Sequence, residues 1–141
     1  MNQQALKEKI FDIMEKHQVG TLATVKDGKP YSRFMTFSND DEFTFYTPTN
    51  KKTHKAEEIE ANPNVYILIG YEGEGLGDAY LEVEGQAKIR DDQNIKDQLW
   101  NDRMKQWFSG KDDPEYIVLE IYPESIRLMN AGAQTPEELE L

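Results

Sequence analysis

The sequence predicts a mainly β chain, a small closed or split antiparallel β-barrel with a few peripheral helices. Three observations lead there. Six or seven short segments alternate apolar and polar residues, or run almost wholly apolar; turn signals separate them at short intervals; and helical spacing is confined to three places along the chain. A length of 141 residues suits one domain with its own core. No internal repeat or linker divides it.

Leu6, Ile10, Ile13 and Met14 recur at helical spacing among Lys and Glu, so an amphipathic helix opens the chain and stops near His17. The period then changes to two. Thr21 to Val25 reads as a strand, Asp27-Gly28 is a two-residue hairpin signal, and Tyr31 to Phe37 returns as its partner. A turn at Asn39-Asp40-Asp41 leads to a third strand, Glu42 to Tyr46, which completes an antiparallel meander. A short helix around Lys55 to Ala61 ends at Asn62-Pro63, and the strand Val65 to Tyr71 is apolar enough to be buried on both faces. Gly73, Gly75 and Gly77 mark a mobile loop before the alternating strand Tyr80 to Ile89. A longer helix follows from Asp91-Asp92, with Ile95, Leu99, Trp100 and Trp107 on its apolar face. After the loop Ser109 to Pro114, two strands, Tyr116 to Ile121 and Ser125 to Met129, close the sheet around Pro123. The tail beyond about residue 131 reads as loosely ordered.

Composition excludes several functions. With 27 acidic and 16 basic residues the net charge is -11, which repels nucleic acid and anionic membrane surfaces. The absence of cysteine rules out disulfides, thiolate nucleophiles and Cys-based zinc or iron–sulfur sites. Two histidines without paired spacing give no transition-metal site. The opening Met-Asn-Gln-Gln-Ala leads into a charged helix without the apolar stretch of a signal peptide, so a cytoplasmic, soluble protein is expected. His17, at a helix end, suits the dipole. Gly73-Glu74-Gly75-Leu76-Gly77 precedes a strand and not a helix, which argues against a dinucleotide fingerprint.

Against this acidic background, Phe43 to Ala56 contains no Asp or Glu. It holds Tyr46-Thr47 and then Lys51-Lys52-Thr53-His54-Lys55, where a helix begins. Cations at a helix N-terminus face the unfavourable end of the dipole, and a bound phosphate would compensate them. Combined with the strand Arg33-Phe34-Met35-Thr36, this is what a flat ring bearing a phosphate monoester requires, and FMN is such a ligand. Alternation places Arg33, Met35 and Phe37 on one face of the strand and Phe34, Thr36 and Ser38 on the other. Either the ligand wraps the strand end, or part of the contact comes from the backbone. A plainer reading stands beside this one: Arg33 as an edge charge, Tyr46-Thr47 as a strand end, and the lysines as a solvated helix entrance.

The order Arg33-Phe34-Met35-Thr36, Phe45-Tyr46-Thr47, Thr53-His54-Lys55-Ala56, Asn62-Pro63 and Gly85-Gln86-Ala87 resembles the pyridoxamine 5′-phosphate oxidase-like FMN-binding split barrels. Trp107-Phe108 with Gly110-Lys111-Asp112-Asp113-Pro114 resembles their bacterial general stress protein branch. The resemblance implies that Arg33, Thr53 and Lys55 bind the FMN phosphate, with His54 in the same triplet. It also implies that the backbone around Met35 and Thr36 faces the isoalloxazine, and that Tyr46 and Thr47 lie by the ribityl-phosphate end. A homodimer with two FMN sites, each completed by the partner chain, is implied as well. Trp100, Trp107 and Phe108 supply apolar area for that interface. His54 stands where the family triplet has Arg, which makes one charge depend on pH. Met129 stands where oxidases of the family place a Trp near the flavin. The stretch after Asn130 lacks the Arg-containing substrate segment of the vitamin oxidase, which argues against pyridoxamine phosphate oxidation. The expected function is FMN binding with flavin-dependent oxidoreductase chemistry linked to stress and a small-molecule redox partner. The alternatives are a non-catalytic flavin-holding protein and a cofactor-free dimeric interaction module.

Overall fold

A computed structural model describes all 141 residues. Helix α1 (Gln3–Lys16) is followed by strands β1 (Val19–Lys26), β2 (Lys29–Thr36), β3 (Ser38–Asn39) and β4 (Phe45–Asn50). Helix α2 (His54–Ala61) precedes β5 (Asn64–Ile69) and β6 (Tyr80–Arg90). Helix α3 (Gln93–Leu99) and a 3-10 turn (Asp102–Gln106) lead to β7 (Tyr116–Met129) and β8 (Glu137–Glu138). One antiparallel sheet has the order β2-β1-β5-β6-β7-β4-β3, with β8 added along β7. Its two end strands, β2 and β3, are separated only by Phe37, so the sheet must curl into a half-barrel. No helix is long and apolar enough to cross a membrane.

The Asn2 side chain caps α1 by accepting from the Ala5 N–H at 2.8 Å. The apolar face of that helix, Leu6, Ile10, Ile13 and Met14, joins the main core with Leu22, Ile67, Val83, Leu119, Ile121 and Ile126. The hairpin forms as the sequence indicates: Asp27 and Gly28 take φ of 52° and 74°, the left-handed pair that a tight two-residue turn requires. Gly85 sits at a register shift between β6 and β7, where a Cβ would lie 2.6 Å from the Tyr122 carbonyl oxygen.

The structure corrects seven expectations. The three-strand meander is not formed, because β2 pairs with β1 while β4 pairs with β7 and only briefly with β3. Pro48 is tolerated within β4 because that strand has no partner along most of its other edge. β5 is buried on one face only; Val65, Ile67 and Ile69 face the core while Leu68 is 40% exposed. The long helix breaks at Trp100, whose backbone is extended, and Asn101 caps the new 3-10 turn by accepting from the Arg103 N–H. Trp100 and Phe108 fold onto Tyr116 at ring separations of 5.8 and 5.0 Å, leaving Trp107 alone exposed. The two closing strands are one, β7, running through Pro123. The tail docks: Leu139 is buried in the main core and its N–H donates to Ile126 O at 2.9 Å. The glycine loop is pinned from within, since the Asp78 carboxylate accepts from the Glu72 and Glu74 N–H groups while Asn130 Nδ2 donates to the Gly75 and Asp78 carbonyls.

Candidate functional site

Because β2 and β4 do not pair, a cleft of about 600 Å³ opens between them. Thr47 Oγ1 donates to the Thr36 carbonyl at 2.8 Å and ties the two strands together across it. Met35, Thr36, Thr47 and Thr49 line one part of the cleft; Leu99, Met104, Trp107 and Phe108, from the α3 and 3-10 segment, form an apolar wall. At the far end the chain turns from β4 into α2. Asn50 makes that turn, its Oδ1 accepting from the Lys52 N–H at 2.8 Å. Thr53 follows at the cap position of α2, but its hydroxyl donates back to the Asn50 carbonyl at 2.8 Å and makes no capping bond. The first turn of the helix therefore presents uncapped N–H groups toward the cleft, the usual setting for an anion.

Lys55 projects from that first turn and lines the cleft, half-buried. Burial lowers the pKa of its ammonium, and the neighbouring Arg33 charge lowers it further. Arg33 itself points behind the cleft. Its Nη1 donates to Thr24 Oγ1 at 2.7 Å and Leu22 O at 3.2 Å, and its Nη2 pairs with Glu58 Oε2 at 3.2 Å. Glu58 is buried, which pushes its pKa up, but the Thr24 hydroxyl bond and the Arg33 charge outweigh this, so the carboxyl stays below its usual range.

Of the residues expected from the sequence, the structure gathers Met35, Thr36, Thr47, Thr53 and Lys55 around one cleft. Arg33 lies close enough to Lys55 to depress its pKa but outside the cleft wall. Tyr46 points to the other side of β4, where its hydroxyl donates to Asp40 Oδ2 at 3.1 Å; burial first and Asp40 second push its pKa up to about 12. His54 is 83% exposed, its Nδ1 is 3.7 Å from Glu57, and its ring lies outside the cleft lining. Lys51 is exposed and Lys52 pairs with Glu115 at 2.8 Å, away from the cleft lining. Met129 lines a second, more open hollow with Tyr71 and Tyr80. Sequence reasoning missed Glu58, Thr24, Thr49 and the wall formed by Leu99, Met104 and Phe108. Met104 and Phe108, four residues apart, carry a helical signal for the wall, but nothing local marks Glu58 or Thr24.

The pyridoxamine 5′-phosphate oxidase family matches residues 6–130 of the chain. Over all 141 residues the chain is 60% identical to general stress protein 26 of Bacillus subtilis, with each chain covered in full. The crystal structure of general stress protein 26 from Bacillus anthracis superposes with a TM-score of 0.85 at 38% identity, covering 96% of this chain and 98% of that one. A pyridoxine/pyridoxamine 5′-phosphate oxidase of Ralstonia pickettii is 34% identical over 94 residues, 60% of this chain and 42% of that protein.

Proposed function

This chain belongs to the pyridoxamine 5′-phosphate oxidase family, and from that premise we propose that it is an FMN-binding protein that uses the flavin for redox chemistry with a small molecule. One observation carries the reading: the uncapped N-terminus of α2 and the half-buried Lys55 meet at one end of a cleft whose remaining lining residues carry hydroxyl, amide or apolar side chains. The donor set fits a phosphate monoester, which carries nearly two charges at neutral pH. Met35, Phe108 and Trp107 suit an aromatic ring, and Thr36 and Thr47 suit a hydroxylated chain. When bound, the flavin would supply the electron-transfer chemistry; the protein would hold it, orient it and limit water at one face.

No Asp, Glu, His or Tyr lines the cleft. This favours a second reading, a protein that holds flavin without turnover, because proton transfer in the cleft would fall to Lys55 or to the ligand itself. The homodimer belongs to the same proposal. Its support moves from the broken helix to the outer face of β2, β1 and β5, where Phe34 (77% exposed), Val19 (59%) and Leu68 (40%) lie uncovered. An absorbance spectrum of the purified protein, before and after adding FMN, tests the binding claim. Protein that stays colourless after FMN and desalting would overturn it. Consumption of a nicotinamide donor by the flavin-loaded protein separates the two readings, since flavin holding alone gives none.

A further inference from the structure

Behind the cleft lies a closed polar triad that the flavin reading does not require. Thr24, fully buried in β1, donates its hydroxyl to Glu58 Oε2 at 2.5 Å and accepts from Arg33 Nη1 at 2.7 Å. Glu58, only 6% exposed in α2, takes a second bond from Arg33 Nη2 at 3.2 Å. Three guanidinium N–H groups are thus engaged on Leu22, Thr24 and Glu58. The Nε–H and one Nη2–H remain. Lys55 stands three residues before Glu58 on the same helix, and residues at that spacing share a face. An ion pair this buried gives a fold little net stability, because apolar residues of the same volume do as well. Its electrostatic effect falls on the nearby cation, Lys55.

We propose that Glu58 is the counter-charge of the phosphate site: with Thr24 it fixes the Arg33 guanidinium beside Lys55, and its negative charge cancels one of the two positive ones. The inference rests on the reading that a phosphate sits at the N-terminus of α2. Lys55 in the cleft with the Arg33–Glu58 pair behind it sums to one positive charge, which holds that phosphate less tightly than two uncompensated cations would and keeps the ligand exchangeable. The charges act on Lys55 in the matching directions: burial lowers its pKa first, Arg33 lowers it further and Glu58 raises it. Glu58 and Thr24 are positioning residues here, acting through Arg33 and Lys55.

The test is Glu58→Gln, which keeps the shape and a carbonyl acceptor for Thr24 and Arg33 while removing the charge. Titration calorimetry with FMN, riboflavin and inorganic phosphate is paired with an NMR titration of the Lys55 ammonium. FMN and inorganic phosphate should each bind on the order of tenfold tighter, riboflavin should be unchanged, and Lys55 should titrate at lower pH. Unchanged or weaker inorganic phosphate binding, with Lys55 unmoved, would overturn the counter-charge. Should phosphate tighten in the variant while neither protein prefers FMN over riboflavin, the counter-charge stands and the flavin reading falls. Thr24→Val tests the anchoring half separately, because it removes the shortest of the three bonds that hold Arg33 and leaves the Glu58 charge in place. It should weaken FMN by about threefold or more without affecting riboflavin, as expected for losing one hydrogen bond. Equal FMN affinity in this variant would contradict the anchoring role.

Discussion

Replacing Lys55 by Ala isolates the charge that the structure places inside the cleft. In the free protein this ammonium is half-buried and repelled by Arg33, so its pKa is depressed. The sign follows from linkage: a lysine with a lowered folded-state pKa destabilises the fold in full below that value, and the penalty fades as pH rises from it toward the unfolded value of about 10.5. The variant should therefore unfold at equal or slightly higher denaturant concentration near neutral pH, and the difference should fade through the alkaline range. Ligand binding should move the opposite way. A charge-assisted hydrogen bond to a phosphate is worth about 1.5–3 kcal/mol, so FMN affinity should fall by roughly tenfold to a hundredfold. Riboflavin, which has no phosphate, should be unaffected. Exposed Lys51 and the Glu115-paired Lys52 provide controls, and their Ala variants should stay within about threefold of the parent at moderate salt. Quenching of flavin fluorescence gives the affinities directly. If Lys55→Ala binds FMN like the parent, or weakens both flavins equally, the phosphate is not at the start of α2.

Two further outcomes follow from the geometry. Leu68→Asp places a charge on the uncovered sheet face but outside the cleft; sedimentation should show a parent dimer and a variant monomer, with FMN weakened alongside dissociation. A monomeric parent that holds FMN stoichiometrically would contradict this. Tyr46 and Tyr116 have pKa values pushed up to about 12, by burial first in each case. Their stabilisation is complete below pH 10 and lost as pH rises through about 12, so an ultraviolet titration should show a late tyrosinate phase that Tyr46→Phe with Tyr116→Phe removes. Survival of that phase in the double variant would refute the assignment.

Local chemistry made part of this molecule legible from its sequence. The Asp27-Gly28 turn, the spacing of Leu6, Ile10, Ile13 and Met14, and the helix start near His54 each depend on residues within a few positions of one another. What escaped depends on distant partners. Alternation runs unbroken from Arg33 to Ser38, yet the chain changes neighbours at Phe37, from β1 to β4, and this single exchange creates the cleft. Arg33 could be read as a phosphate ligand or an edge charge, but its partner Glu58 is 25 residues away on a helix whose apolar spacing gives no hint of a buried acid. The tail looked loose because Leu139 has no periodic company; it is ordered by a β7 strand already fixed elsewhere. Trp100 and Trp107 would share a face of a continuous helix, but Asn101 offers its side chain as a cap and the helix restarts.

The central claim is that the cleft is built around a phosphate monoester on a flavin. Calorimetric titration of the purified full chain with FMN and with riboflavin, in the same buffer and salt, tests it most directly. The account predicts that FMN binds at least about tenfold more tightly than riboflavin, with the difference shrinking as salt is raised. Equal affinities for the two flavins, or binding of neither, would contradict it.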